Sequence, residues 1–181
     1  PQLVAKWRDR LAGPEFKVGL AWQGNPDHVR DAERSMKLIE MVPLMEVPGS
    51  QFYGLQIGVG AEQAWDLPAD LPFESLEDDL KDSNDNMVDE AAVVENLDLV
   101  ISIDSAIANL AAAMGKPTWV PTPKIPDWRW LIVTGTEPLT YADGPWYPKA
   151  RVFPTPVRFE WTQTVSAMTE ALAAEAGRAA G

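Results

Sequence analysis

Apolar positions along this chain fall into short continuous runs separated by stretches of helical recurrence, the pattern of strands buried on both faces alternating with helices that cover them. The first run, Phe16-Lys17-Val18-Gly19-Leu20-Ala21-Trp22, stops at Gly24-Asn25-Pro26 and predicts a strand closed by a turn. Met36, Leu38, Ile39, Met41, Val42 and Leu44 recur at helical spacing. They predict a helix over 36–46 capped by Ser35, with a kink or early stop at Pro43. Gln51 to Ile57 predicts a second strand, closed by Gly58 and Gly60. Residues 61–85 carry few periodic apolar positions and read as loop with at most one short strand. Met87, Ala91, Val94 and Leu97 predict a helix over 86–96, capped by Asp85 or Asn86, and Leu97 to Ile103 a strand of the buried parallel kind. A helix over 106–114 follows, capped by Asp104-Ser105 and stopped by Gly115-Lys116-Pro117, the lysine suiting the negative C-terminal end. Thr118-Trp119-Val120 and Arg151-Val152-Phe153 predict two further strands around a Pro- and Trp-rich stretch, 121–148, that has no assignable pattern. A helix over 161–174 completes the series.

This order predicts an α/β fold, a Rossmann-like three-layer sandwich with a mostly parallel sheet. With 181 residues the chain has room for one domain of ordinary size. Residues 1–15 read as a linker helix and 16–181 as the domain. Apolar residues make up 46% and there are eight Trp, enough to bury a sizeable core.

Charge narrows the partners. The chain carries 27 acidic and 15 basic residues, net −12, which repels nucleic acid and anionic membrane surfaces. The excess is local: residues 61–104 hold 14 acids against the single base Lys81. With no cysteine and one histidine, His28, the chain can build neither a thiolate nucleophile nor a zinc site with two histidines. No apolar stretch long enough for a signal peptide or a membrane span is present, so the cytoplasm is the expected compartment. A chain that opens on Pro1 reads as trimmed, with sequence upstream.

In an open parallel sheet a ligand lies beyond the carboxyl ends of the strands, where the pattern puts Gly24-Asn25, Gln56 to Gly58, Asp104-Ser105 and Pro121-Thr122. Neither the P-loop motif nor a full dinucleotide fingerprint occurs; Gly58-Val59-Gly60 is followed by Gln63 where a third glycine belongs. What remains is a helix start at Ser105-Ala106-Ile107, whose free amides and positive dipole end suit a phosphate. The commoner reading of that pattern is a plain cap with small residues packed on the sheet. The loop 24–37 offers Asn25, His28, Arg30, Arg34, Ser35 and Lys37 as phosphate donors. Its own Asp27, Asp31 and Glu33 equally suit a solvated, self-paired loop. Trp128, Trp130, Trp146 and Tyr147 form either a stacking surface for a sugar or base, or a proline-packed cover.

Taken in order, these segments resemble the C-terminal half of bacterial glycosyltransferases of the tetratricopeptide-repeat-linked kind, related to glycosyltransferase family 9 and the lipopolysaccharide heptosyltransferases. The matching residues are Val18 to Pro26 with His28, Asp31, Arg34 and Ser35; Leu55-Gln56; Leu97 to Ala106 with Asn109-Leu110-Ala111 and Gly115-Lys116-Pro117; Pro126 to Leu131; and Pro145 to Pro148. The resemblance implies the nucleotide-sugar half of a two-domain GT-B fold, working without metal or other cofactor. It implies a donor diphosphate on the helix after Asp104, with Gly24, Asn25, His28, Arg34, Ser35, Gln56, Asp104, Ser105, Ala106, Asn109, Trp128 and Arg129 around the nucleoside diphosphate sugar. Asn109 stands where relatives carry histidine, and an amide brings no charge. The implied partners are a missing N-terminal glycosyltransferase domain, which binds acceptor and supplies the general base, or a tetratricopeptide array.

The expected function is therefore donor binding in an inverting, metal-independent glycosyltransferase, inactive without its other half. The alternative is a degenerate Rossmann-like module kept for protein contacts, to which Asn109, the acidic segment and the aromatic-rich 119–147 point. A sugar-nucleotide epimerase needs more acids in the cleft than the pattern identifies.

Overall fold

Strand alternation divides the interior into two apolar layers. The computed structural model describes residues 1–81, 87–130 and 146–179. Within them β1 (Phe16–Ala21), β2 (Ser50–Gly54), β3 (Phe73–Ser75), β4 (Leu99–Ser102), β5 (Thr118–Thr122) and β6 (Ala150–Pro154) form a sheet ordered β3-β2-β1-β4-β5-β6. Every pairing is parallel, with Val18 opposite both Phe52 and Leu99. Side chains two apart share a face. Val18, Leu20 and Trp22 thus join Phe52, Leu99, Ile101 and Trp119 in one layer, while Ala21, Tyr53, Leu55 and Val100 join the other.

Helices cover both faces. On the first lie α3 (Val42–Met45) and α7 (Thr162–Ala179), the latter burying Val165, Met168, Leu172 and Ala176 at helical spacing. On the second lie α1 (Gln2–Arg10), α4 (Glu77–Leu80), α5 (Val88–Glu95) and α6 (Ala106–Ala113). Helix α1 packs on α5 through buried Trp7, whose indole N–H donates to Asp89 at 2.6 Å. Its Arg10 pairs with Glu74 of β3 and Asp79 of α4, and those carboxylates raise the guanidinium pKa.

The α/β class, the parallel sheet and most elements agree with the hydropathy pattern; three local readings do not. The helix over 36–46 is shortened and split, with only 38–45 helical. A short helix α2 (Asp31–Arg34) ends at Ser35, the chain runs extended through Lys37, and a 3-10 turn Leu38–Met41 leads into α3. Pro43 explains the break: it has no N–H, and its ring excludes the carbonyl of the residue four before it. Ser35 is not a cap for this segment, because its hydroxyl serves the β1 turn. Segment 61–81 holds a 3-10 turn Ala61–Asp66 and α4 besides the short strand β3. Lys116 turns away from α6 and donates to the carbonyls of Glu95 and Leu97, at the end of α5.

The stop of α6 is as read. Gly115 holds φ +73°, its amide donates to Ala112 O, and the Lys116 amide donates to Ala111 O, closing the last turn. The cap expected at Asp85 or Asn86 lies outside the described residues, as do Leu131 and Pro145 and most of the Pro- and Trp-rich stretch.

Candidate functional site

The chain leaves β1 toward β2 on one side and leaves β4 toward β5 on the other, so a crevice opens at the carboxyl ends of these two neighbours. A cleft of about 630 Å³ lies there, within the usual range for small-molecule sites. Of the residues implied by the resemblance, Gly24, Asn25, Arg34, Gln56, Asp104, Ser105, Ala106, Asn109 and Arg129 line it; His28, Ser35 and Trp128 do not.

Its first wall is the turn after β1, built around buried Asp31. One carboxylate oxygen accepts from Gln23 Nε2 at 2.7 Å; the other accepts from Ser35 Oγ at 3.0 Å and Arg34 Nε at 3.2 Å. Ser35 Oγ in turn accepts from the Gly24 amide at 2.9 Å. Ser35 thus supports the turn from behind. Arg34 also donates from Nη1 to the main-chain oxygen of Asp104 at 2.9 Å, joining the ends of β1 and β4. Its Nη2 has no partner among the described residues and lies where a Gly24 side chain would be, 2.7 Å from an ideal Cβ. A guanidinium held at two points with a third nitrogen facing a cleft is prepared for an anion.

The second wall is the start of α6. Ser105 alone is the cap: its backbone is extended and its Oγ accepts from the Ala108 amide at 3.4 Å. Asp104 does not share that role. Its carboxylate turns aside to accept from the buried indole of Trp130 at 2.8 Å, with Arg129 Nη2 at 3.8 Å. The amides of Ala106 and Ile107 have no partner among the described residues, as the first turn of a helix requires. Asn109 faces the same cleft, but its amide donates to Ser105 O at 2.8 Å and its carbonyl accepts from Tyr147 Oη at 3.0 Å.

Other candidates are engaged in contacts within the chain. Gln56 Oε1 accepts from the Trp22 and Gln23 amides, and its Nε2 donates to Val59 O. His28 is exposed and its Nδ1 accepts from the Arg30 amide at 3.2 Å. Trp128 is exposed, meets Trp146 edge to face at 5.8 Å, and carries the Arg129 guanidinium over its ring at 5.7 Å. Nearby, Glu33 pairs with Arg158 and Arg30, which hold its carboxyl below the usual range.

Sequence reasoning passed over Glu90 and Met87 as site residues, and took Asp31 only as part of a motif. The Asp31-x-x-Arg34-Ser35 spacing was the available signal, since residues three and four apart meet on one helix face. Glu90 gave none, lying within a stretch that reads as a solvated acidic face. Met87 caps α5 at φ +70°, a conformation that non-glycine residues rarely hold. Among the described residues no three His, Asp or Glu side chains gather in a metal-binding arrangement, and no helix is long and apolar enough to cross a membrane.

No protein-family model matches the chain. Protein FlbA of Caulobacter vibrioides is 32% identical over 174 residues, which make up 95% of this chain and 28% of FlbA. The structure of Escherichia coli ADP-heptose LPS heptosyltransferase II superposes with a TM-score of 0.62 at 14% identity, covering 96% of this chain and 52% of that enzyme. A glycosyl transferase family 9 protein from Veillonella parvula gives 0.60 at 12% identity, with 97% and 52% covered. The chain therefore spans about half the length of these two structures and has the Rossmann-like fold of a glycosyltransferase of that kind.

Proposed function

We propose that this chain is the donor-binding half of a GT-B glycosyltransferase related to family 9, and that the cleft receives a nucleoside diphosphate sugar. The observation that carries the reading is the pairing of two unpartnered α6 amides, Ala106 and Ile107, with the anchored guanidinium of Arg34 on one cleft. Backbone N–H groups and a helix dipole favour a pyrophosphate there. Arg34 Nη2 adds the charge that Asn109 does not bring.

In this reading the sugar–phosphate bond breaks as an acceptor oxygen attacks the anomeric carbon from the opposite face, inverting it. Negative charge grows on the leaving diphosphate, and fixed amides and guanidinium stabilise it without a metal ion. The general base and the acceptor site belong to another domain, a preceding glycosyltransferase half or a tetratricopeptide-linked partner, in a cytoplasmic protein. Small residues at 106 and 108 let phosphate oxygens approach the backbone.

Calorimetric titration with UDP, ADP and GDP tests this. At least one nucleotide binds, Arg34→Ala and Ser105→Glu each weaken it, and EDTA changes nothing. No binding at millimolar nucleotide refutes the reading. The internal bonds of Asn109 and the exposed Trp128 and Trp146 favour a second reading, a module kept for protein contacts, which that null result would support.

A further inference from the structure

One charged group in the cleft has no role in holding a phosphate. Glu90 stands in the first turn of α5 and lines the same cleft as Arg34 and the α6 start, yet it is only 8% exposed, and its Oε2 is buried with no hydrogen-bond partner among the described residues. Buried polar atoms are nearly always satisfied, so an unsatisfied one on a ligand cleft has room for a partner that arrives with the ligand. A carboxylate offers lone pairs only, so that partner must be an N–H or O–H donor. A phosphate group is not that partner, because its oxygens bring no donor to the carboxylate.

The surroundings define the donor further. Leu55, Ile57, Met87 and Ile107 line the cleft and belong to, or pack against, the apolar layer on the α5 side of the sheet. An apolar wall around one buried acceptor suits a flat heteroaromatic ring with an amino group at its edge better than it suits a polyhydroxylated sugar.

We propose that Glu90 is the base-selecting residue of the cleft: its buried Oε2 accepts a hydrogen bond from the exocyclic amino group of a nucleobase. This rests on the donor-site reading above and adds a substrate class to it, nucleotides of amino-bearing bases. A base with a carbonyl at that position sets its lone pairs against those of the carboxylate, and such a mismatch in a buried site costs roughly tenfold or more in affinity.

The test compares pairs of nucleotides that differ by amine against carbonyl, CDP with UDP and ADP with IDP, on the unmodified protein by calorimetry. The expected result is at least tenfold tighter binding of the amino member in whichever pair the cleft accepts. Glu90→Gln, which offers donor and acceptor alike, brings the two members to within about threefold of each other, and 2′-deoxy-CDP binds as CDP does. Equal binding of both members of a pair by the unmodified protein overturns the inference and leaves the donor site standing. A loss on removing the 2′-hydroxyl that Glu90→Gln abolishes assigns the carboxylate to the ribose and also overturns it. Failure of these four nucleotides and of GDP to bind overturns the donor site and this inference together.

Discussion

Gly24→Ala should disable the cleft through a single methyl group. The Gly24 backbone lies outside the left-handed region, so alanine meets no conformational penalty and the effect is steric. Its Cβ would lie 2.3 Å from Asp31 Oδ1, 2.7 Å from Arg34 Nη2 and 2.8 Å from Arg34 Nε, all closer than real contacts allow. Neither side chain yields freely, since Asp31 is held by Gln23 and Ser35 and Arg34 by Asp104. Relief therefore breaks at least one hydrogen bond between charged groups, about 1.5–3 kcal/mol. At about 2–4 °C per kcal/mol for a domain of this size, Tm falls by about 3–12 °C. Nucleotide affinity falls by about tenfold or more as Nη2 leaves the cleft. Differential scanning calorimetry and nucleotide titration measure both effects. In an Arg34→Ala background the methyl group has less to displace, so the two changes combine with a smaller loss than their sum. A Gly24→Ala protein with unchanged Tm and unchanged affinity refutes the described packing of the turn.

Three further outcomes follow from other parts of the molecule. Trp130→Phe removes the indole donor to the buried Asp104 carboxylate, so stability falls by about 1.5–3 kcal/mol in chemical denaturation, and nucleotide binding weakens as the β4 end loosens. Gly177→Ala, on an exposed turn of α7 where a methyl group meets nothing, raises stability by about 0.5 kcal/mol in the same assay. Burial, with smaller contributions from the Glu74 and Glu15 carboxylates, raises the Tyr53 phenol above its ordinary pKa. The native state therefore keeps a proton that the unfolded chain releases, so stability is lost as pH rises through about 10, and Tyr53→Phe shows a shallower alkaline fall in Tm.

The sheet was legible because β4 and β5 are buried along their whole length, β1 and β2 along most of it, and turn residues flank these runs. Strand β3, three residues long within an acidic stretch, offered little pattern to read. Gly115 and the small residues of α6 likewise announce a helix start and stop by local chemistry. The helix over 36–46 was legible only in part because apolar periodicity does not distinguish a 3-10 turn from an α-helix; Leu38, Met41 and Leu44 are buried, by a 3-10 turn and one helical turn, while Ile39 is exposed. The Asp104 carboxylate was hidden for a different reason, as its partner Trp130 lies 26 residues on and nothing local points to it. Glu90 escaped since an acid among acids looks solvated until neighbouring elements enclose it.

In the proposed donor site the first amides of α6 and the Arg34 guanidinium together receive a pyrophosphate. Nitrogen-edited NMR of the protein titrated with ADP or CDP reads those groups directly. The expected result is that the Ala106 and Ile107 amide signals and the Arg34 side-chain signal shift together along one saturation curve, and that Arg34→Ala flattens it. Saturable shifts confined to other surfaces, or still signals at millimolar nucleotide, contradict it.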